Sequence, residues 1–189
     1  MTHADLVTQL QGAFAADVQG TLAFRGEQTV TVAKTALPAV LTFCRDTLKF
    51  DQLVDITTID HLGQDPRFEI AYELFSHASG LSLRIKSATP EDDAEFPSAA
   101  AIWPAADWHE REAYDMMGVR FAGHPDLRRI LMWEGYPYYP LRKEFPLAGK
   151  PSEMPDVAFT REAPLQGGPF VTSPGGADTI EREPRARGE

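Results

Sequence analysis

The sequence predicts an α+β protein, a two-layer domain with helices on a mostly antiparallel sheet, followed by an extended proline-rich C-terminal arm. Two observations predict the domain. Its elements run in the order helix, strand, strand, helix, strand, strand, strand, and its strands alternate apolar with polar residues. The third observation predicts the arm. Two of the 15 prolines precede residue 90, and the others are spaced too closely for long helices or central strands.

The first four elements follow from local patterns. Residues 4–16 carry apolar side chains at helical spacing. The next stretch predicts two short strands around a turn at Gly26-Glu27. A second helix then begins, and we expect Thr35 as its N-cap and Pro38 in its first turn.

Three further strands complete the sheet. They are predicted from β-branched residues in 53–60 and from strict alternation in 67–75 and 81–86. We place the domain at residues 1–122 and the docking arm with its variable tail at 123–189. Because the arm has many prolines and few large apolar residues, we expect it to need a partner for its order. A chain ending at residue 122 should then keep its fold, and protease should cut after residue 123.

Composition excludes several classes of protein. The formal net charge of −10 disfavours nucleic-acid binding and a polybasic membrane anchor. Cys44, the single cysteine, allows no internal disulfide and no Cys-x-x-Cys metal or cluster site. The first ten residues lack a basic signal-peptide region, and no apolar run approaches the ~18 residues of a membrane span. We therefore expect a soluble protein of a reducing compartment.

Residues 108–131 concentrate acids, arginines and two histidines, with no lysine. His109-Glu110 begins like a zinc-protease motif, but the second histidine is replaced by Ala113. Glu112 and Asp115 would share a helix face as an acid/base pair, with Glu110 pointing elsewhere. A protonated catalytic carboxyl is disfavoured by the interleaved arginine. This mixture is more typical of a solvated or interface face.

The residues after this helix also favour docking. His124 lies in a Gly-His-Pro-Asp sequence that predicts a turn. Arg128 and Arg129 could clamp a phosphate, but no glycine-rich loop precedes them. Stacking of the nearby tryptophans and tyrosines on bases is disfavoured by the acidic charge. Aromatic residues and arginines without lysines are typical of the centres of protein interfaces.

Four sequence blocks carry a resemblance to a known family. They are W-P-x-A-x-W, E-R-E-x-Y-D-M-x-G-V-x-F, G-H-P-D-L-R-R-I-L and P-L-R-K-x-F-P-L, in order over residues 103–147. This series resembles the C subunit of the proton-translocating NADH:quinone oxidoreductase, respiratory complex I. The strands from about residue 50 onward are also similar to the domain of that family.

The resemblance implies a non-catalytic peripheral-arm subunit without flavin, iron–sulfur cluster or metal of its own. It would lie against the large quinone-site subunit (the D subunit), near the B and I subunits, on the cytoplasmic face of the inner membrane. A short helix stopped by Gly118 and the arm after it would dock on these partners. The docking residues so predicted are Trp108, Glu110, Arg111, Glu112, Tyr114, Asp115, His124, Asp126, Arg128, Arg129, Trp133, Arg142, Lys143 and Phe145.

Two alternatives remain open from the sequence. Membrane-bound hydrogenases and ferredoxin-dependent relatives of complex I contain a similar subunit, and one chain does not identify the electron donor. A stand-alone hydrolase would use Glu110, Glu112, Asp115 and His124.

Overall fold

This computed structural model describes residues 2–146 of the chain. A five-stranded sheet is the central element of the fold. Its strand order is β1-β2-β5-β4-β3. All neighbouring strands are antiparallel except β2 and β5, which are parallel. The strands are β1 (Val18–Phe24), β2 (Glu27–Val32), β3 (Gln52–Asp60), β4 (Phe68–Ser76) and β5 (Leu81–Thr89).

Two helices precede the three-stranded meander. Helix α1 spans His3–Ala13 and begins with a capping box, in which the Thr2 hydroxyl accepts from the Asp5 N–H and the Asp5 carboxylate accepts from the Thr2 N–H. Helix α2 spans Leu37–Asp46 and has its proline in the first turn, as predicted.

The predicted N-cap of α2 is wrong. Thr35 lies inside a 3₁₀ turn, Lys34–Ala36, that leads directly into the helix. Ala36 occupies the N-cap position of α2 and offers no side-chain hydrogen bond. Backbone continuity from the 3₁₀ turn therefore replaces the side-chain cap that the sequence pattern predicted.

The core lies between these helices and one face of the sheet. It contains fully buried side chains from both layers, which form one continuous cluster: Leu6, Leu10, Val30, Leu41, Cys44, Ile70, Tyr72, Leu74, Leu83 and Ile85. The alternation predicted for residues 67–75 and 81–86 is observed as alternating burial in β4 and β5. The strand predicted from the β-branched residues of 53–60 is observed as β3. Burial of this apolar face is the main stabilisation of such a two-layer domain.

The opposite face of the sheet is polar and carries ion pairs between neighbouring strands. Arg84 on β5 binds Glu73 on β4 and lies 3.1 Å from Glu27 on β2. Lys86 lies 2.7 Å from Glu69. These cross-strand pairs occupy the solvent side of a sheet that is covered on one face only.

A third helix lies beside the edge strand β3. Helix α3 spans Ala106–Met117, and Gly118 ends it in the left-handed conformation with φ of 74°, as predicted. His109 on α3 lies 3.1 Å from Asp55 on β3. A two-stranded parallel sheet of β6 (Glu95–Pro97) and β7 (Arg120–Ala122) flanks α3, and neither strand was predicted.

The predicted fold class, α+β with a mostly antiparallel sheet, is confirmed, but the first compact unit extends beyond residue 122. The chain divides into two such units, Met1–Tyr139 and Pro140–Glu189. Residues 123–139, assigned to the arm from their prolines, therefore belong to the first unit. Residues 147–189 of the predicted arm lie outside the described residues.

Candidate docking site

Asp115 on α3 is the centre of the predicted docking stretch. Its side chain has no exposed surface. One carboxylate oxygen, Oδ2, accepts hydrogen bonds from the N–H groups of Ile130, Leu131 and Met132 at 3.0, 2.6 and 2.8 Å. The other, Oδ1, lies 2.6 Å from Nη1 of Arg129. Four donors thus fix the loop of residues 128–138, hereafter the 128–138 loop, against the last turn of α3.

Arg129 fixes the rest of the same loop. Its Nη1 also donates to the carbonyl of Asp115 at 2.9 Å. Its Nη2 donates to the carbonyls of Tyr136 and Tyr138 at 2.6 and 3.1 Å. The guanidinium lies over the rings of Tyr136 and Tyr139. The side chain is 11% exposed, so Arg129 binds its own chain, and this geometry does not support its predicted role as a partner-facing anchor.

The electrostatics of Asp115 follow from this environment. Burial alone would raise its pKa, but the N–H groups of Met132, Leu131 and Ile130 and the Arg129 guanidinium outweigh that effect. The pKa of Asp115 therefore lies below its ordinary value, and the carboxylate stays ionised. All of its donors come from a loop that follows it in sequence by 14 residues or more.

Glu110 is also internal. Its side chain has no exposed surface, and it accepts hydrogen bonds from the Ser98 hydroxyl and the Ala99 N–H, both at 2.6 Å. Burial raises the pKa of Glu110 despite these two donors. The charge of Glu110 also acts on Tyr72, whose buried phenol oxygen has no hydrogen-bond partner. Burial and this charge together raise the pKa of Tyr72 well above its ordinary value.

His124 closes the other side of this buried group. Its ring has no exposed surface, and Nε2 lies 3.0 Å from Oδ1 of Asp107 and 3.9 Å from Glu110. The Asp126 N–H donates to Nδ1 at 3.0 Å, so the hydrogen-bond geometry assigns the ring proton to Nε2. The turn that contains His124 and Asp126 is thereby joined to the first turns of α3, which carry Asp107 and Glu110.

The acids of the hydrolase alternative do not converge. Glu110 and His124 meet in the protein interior, Asp115 is saturated by its own loop, and Glu112 is exposed. Among residues 2–146, no group of three or more His, Cys, Asp or Glu side chains could hold a metal ion. The same geometry does not support the predicted docking roles of Glu110, Asp115 and His124, since the side chains of all three are enclosed by their own chain.

A smaller set of the predicted residues is accessible. Trp108 and Glu112 are exposed one turn apart on α3, and Arg128 is exposed on the 128–138 loop. Leu131, which was not predicted as a docking residue, is exposed on the same loop. Arg111 joins these two elements, because it donates to the carbonyls of Arg128 and Arg129 and lies 5.2 Å from the centre of the Trp108 ring. We call Trp108, Glu112, Arg128 and Leu131 the α3 patch. Arg111 itself is mostly buried and supports the patch from below.

The other predicted docking residues in the first unit have mixed positions. Asp126 is exposed and pairs with Arg128 at 2.8 Å. Tyr114 is half-buried. Trp133 is half-buried and packs edge-to-face on Tyr136. Asp126, Tyr114 and Trp133 are close in sequence to the residues of the α3 patch, and none of them is a buried charged residue.

Three predicted docking residues lie in the second unit. Arg142 is half-buried, 3.8 Å from Glu144, and its carbonyl accepts from the Phe145 N–H at 3.0 Å. Phe145 is half-buried and Lys143 is exposed.

Sequence inspection missed Ser98, Asp107 and Tyr72, which complete the buried Glu110 and His124 group. None stands in a motif that marks such a role. Asp107 occupies a variable position inside the W-P-x-A-x-W block, whereas Tyr72 appears as an ordinary inward residue of β4. Long-range proximity alone brings these residues together.

The comparisons with known proteins agree with this architecture. Residues 30–151 match the model of the respiratory-chain NADH dehydrogenase 30 kDa subunit family. The chain belongs to this family. The C subunit of the NADH-quinone oxidoreductase of Geobacter sulfurreducens is 42% identical over 78% of this chain and 91% of its own. That of Citrifermentans bemidjiense is 45% identical over the same two shares.

Two solved structures are similar to the fold. The trypsin-resistant fragment (1-134) of Nqo5 has a TM-score of 0.57 and 28% identity, over 65% of this chain and 98% of its own. A chain of the membrane-bound sulfane sulfur reductase, an archaeal respiratory membrane complex, has a TM-score of 0.66 and 24% identity, over 75% of this chain and 84% of its own. The second likeness concerns the fold alone.

Replacing Arg129 by Ala should destabilise the isolated chain strongly. We expect a loss of about 2–4 kcal/mol in the free energy of unfolding, at or below the range for breaking a buried ion pair, because the three N–H donors to Asp115 remain. Urea denaturation measures it. The matched control is Arg128→Ala, whose side chain is 66% exposed and should change stability by no more than about 0.5 kcal/mol. Equal effects of the two substitutions would contradict the assignment.

Truncation should distinguish the observed boundary from the predicted one. A chain ending at Ala122 loses the donors to Asp115 and the His124 ring, whereas a chain ending at Tyr139 keeps both. We expect the shorter chain to melt about 10 °C or more below the longer one, since several kcal/mol are lost. Thermal unfolding followed by circular dichroism is the measurement. Similar melting temperatures would show that residues 123–139 add nothing to the domain.

Glu110 should give the stability of the chain a specific pH dependence. Its pKa is raised in the folded state, so the folded chain binds more protons than the unfolded chain just above pH ~4.3, the ordinary value for Glu. The contribution of Glu110 is therefore fully present below that pH and is lost as pH rises through the folded pKa. Urea midpoints of the wild type and Glu110→Gln between pH 4 and pH 8 test this. The wild type should lose stability relative to the variant as pH rises, and parallel profiles would refute it.

Proposed function

We propose that this chain is a non-catalytic peripheral-arm subunit of an NADH:quinone oxidoreductase. It would support electron transfer from NADH to quinone, coupled to proton translocation, by holding partner subunits in position. The observation that carries the proposal is the family match over residues 30–151, together with 41–45% identity to the C subunits of several bacterial enzymes.

The chemistry of the described residues supports a structural role. The acids of the 108–131 stretch are used in internal contacts or are separated from one another. We propose that the chain holds no flavin, iron–sulfur cluster or nicotinamide, and that these groups belong to partner subunits. The purified chain should then show no cofactor absorbance and no NADH oxidation.

We propose the α3 patch as a contact with the large quinone-site subunit (the D subunit), with the B and I subunits nearby. Trp108 and Leu131 are 59% and 62% exposed, and tryptophan and arginine are enriched at the residues that dominate binding energy in interfaces. Arg111 holds the indole of Trp108 in place from beneath, so little ordering would be needed on binding. We also propose a row of residues in the second unit as partner contacts: Arg142, Lys143 and Phe145.

The proposed location is the cytoplasmic face of the inner membrane. None of the helices within residues 2–146 is long and apolar enough to span a bilayer, so attachment would depend on partner subunits. A sulfane sulfur reductase has a chain of similar fold, but at 24% identity it supports the fold and not the electron donor. The higher identity to subunits of NADH-quinone oxidoreductases favours NADH as the donor.

Co-purification tests the proposed contact. We expect the tagged full chain, expressed in its native cell, to capture the D, B and I subunits. A Trp108→Asp/Leu131→Asp double variant should reduce that capture at least tenfold, because it places charges in an apolar contact. Its melting temperature should stay close to that of the wild type, since both side chains are exposed.

The matched control is Leu62→Asp, which changes a Leu that is 50% exposed in the β3–β4 connection. It should capture the partners like the wild type. Loss of capture in the control as well would show a general effect of surface charge. Full capture by the double variant would place the contact elsewhere.

A further inference from the structure

The free edge of β1 is unusually apolar for an exposed strand. Val18–Phe24 contains no charged residue and no proline, and Leu22 and Phe24 are 62% and 61% exposed. Natural edge strands are commonly protected by charges, prolines or covering elements, because an open edge can pair with another chain. Within the described residues, β1 pairs with β2 on one side only.

Side-chain orientation shows which part of this edge could pair. Gly20, Leu22 and Phe24 lie opposite Thr31, Thr29 and Glu27 of β2, and they share the polar face of the sheet. A β-bulge between Val18 and Gly20 interrupts the register. Five regular residues, 20–24, therefore form the usable edge.

We propose that the unassembled chain pairs with a second copy through this edge, antiparallel and centred on Leu22. In that register Leu22 faces Leu22 of the second copy, and Phe24 faces Gly20. A Cβ built at Gly20 meets nothing within 4 Å, so the space above the glycine accepts the Phe24 ring. Aromatic side chains stabilise a glycine on a neighbouring strand in this way.

The remaining positions of the register are compatible with the pairing. Thr21 faces Ala23, and residues 20–24 carry no charge, so no like charges oppose each other. The arrangement is isologous, since each contact occurs twice about a two-fold axis. This self-complementarity favours a second copy over an unrelated strand as the occupant.

The dimer should be weak and reversible. Five residues per chain bury much less than the ~1,600 Å² of a standard stable interface, so we expect a dissociation constant above about 1 µM. Each chain carries a net charge of −10, so added salt should strengthen the dimer by screening the repulsion. Such a contact would cover the edge of the free subunit and dissociate readily.

Sedimentation velocity of the purified full chain over a concentration series tests the proposal. We expect a shift towards twice the chain mass as concentration rises. Leu22→Lys places two ammonium groups opposite each other and should raise the dissociation constant at least tenfold. Leu62→Lys, at an exposed leucine outside the strands, should leave it unchanged. A monomer at every concentration, or a dimer unaffected by Leu22→Lys, would overturn the proposal.

Cross-linking tests the register itself. Under oxidised glutathione, Leu22→Cys should form an intermolecular disulfide, because the two cysteines meet at the two-fold axis. Phe24→Cys should not, since residue 24 of the second copy is four residues further along the paired strand, about 13 Å away. The native Cys44 is buried, and burial raises its pKa to about 12, so it contributes no background. Equal cross-linking of both variants would exclude this register. If the free chain is monomeric but Leu22→Lys prevents assembly, a partner subunit's strand covers β1 instead.

Discussion

The buried carboxylate of Asp115 is the constraint on which the position of the 128–138 loop against α3 depends. A charge without solvent contact is costly unless hydrogen bonds replace its hydration. The N–H groups of residues 130–132 and the Arg129 guanidinium provide those bonds. Closing the loop on α3 supplies these bonds, and opening it would give them up in exchange for hydration of the carboxylate. Arg129 extends the same constraint to residues 136 and 138 through their carbonyls.

This arrangement also explains how a surface is formed from a charge-rich sequence. Glu110, Asp115 and His124 are occupied inside the chain, so the exposed face of α3 retains Trp108 and Glu112 and gains two side chains from the loop, Arg128 and Leu131. Arg111 contacts both elements and supports the indole. A patch of two large apolar and two charged side chains, with no convergent catalytic groups, suits protein contact better than catalysis. The proposed role as a structural subunit depends on this internal use of Glu110, Asp115 and His124, because side chains buried in the fold are not available for catalysis.

The sequence predicted the features that local patterns determine. β-branched residues identified β3, and alternation identified β4 and β5. Apolar spacing identified α1 and α2, and Gly118 marked the end of α3. It failed where distant residues decide the structure. The strands β6 and β7 are three residues long and become visible only when paired. Within residues 123–146, the prolines correctly disfavoured helices and strands. They did not reveal that side-chain-to-backbone bonds could hold the segment in place of a helix or sheet.

The candidate site shows the same limit. Clustering of acids, arginines and aromatic residues identified the stretch, but it could not separate inward from outward residues. Asp115 and Arg129 are 14 residues apart in sequence and share no periodic relation. The sequence alone therefore does not distinguish the mostly buried Arg129 from the exposed Arg128. Glu110 likewise resembles Glu112, although the first is fully buried and the second exposed.

Amide hydrogen exchange of the free chain tests the central role of Asp115 most directly. If its carboxylate holds the loop, the N–H groups of Ile130, Leu131 and Met132 should be protected to nearly the same extent as those of the central strand β4, without any partner present. Exchange of these three amides at the rate of an unstructured peptide, while β4 stays protected, would contradict the account.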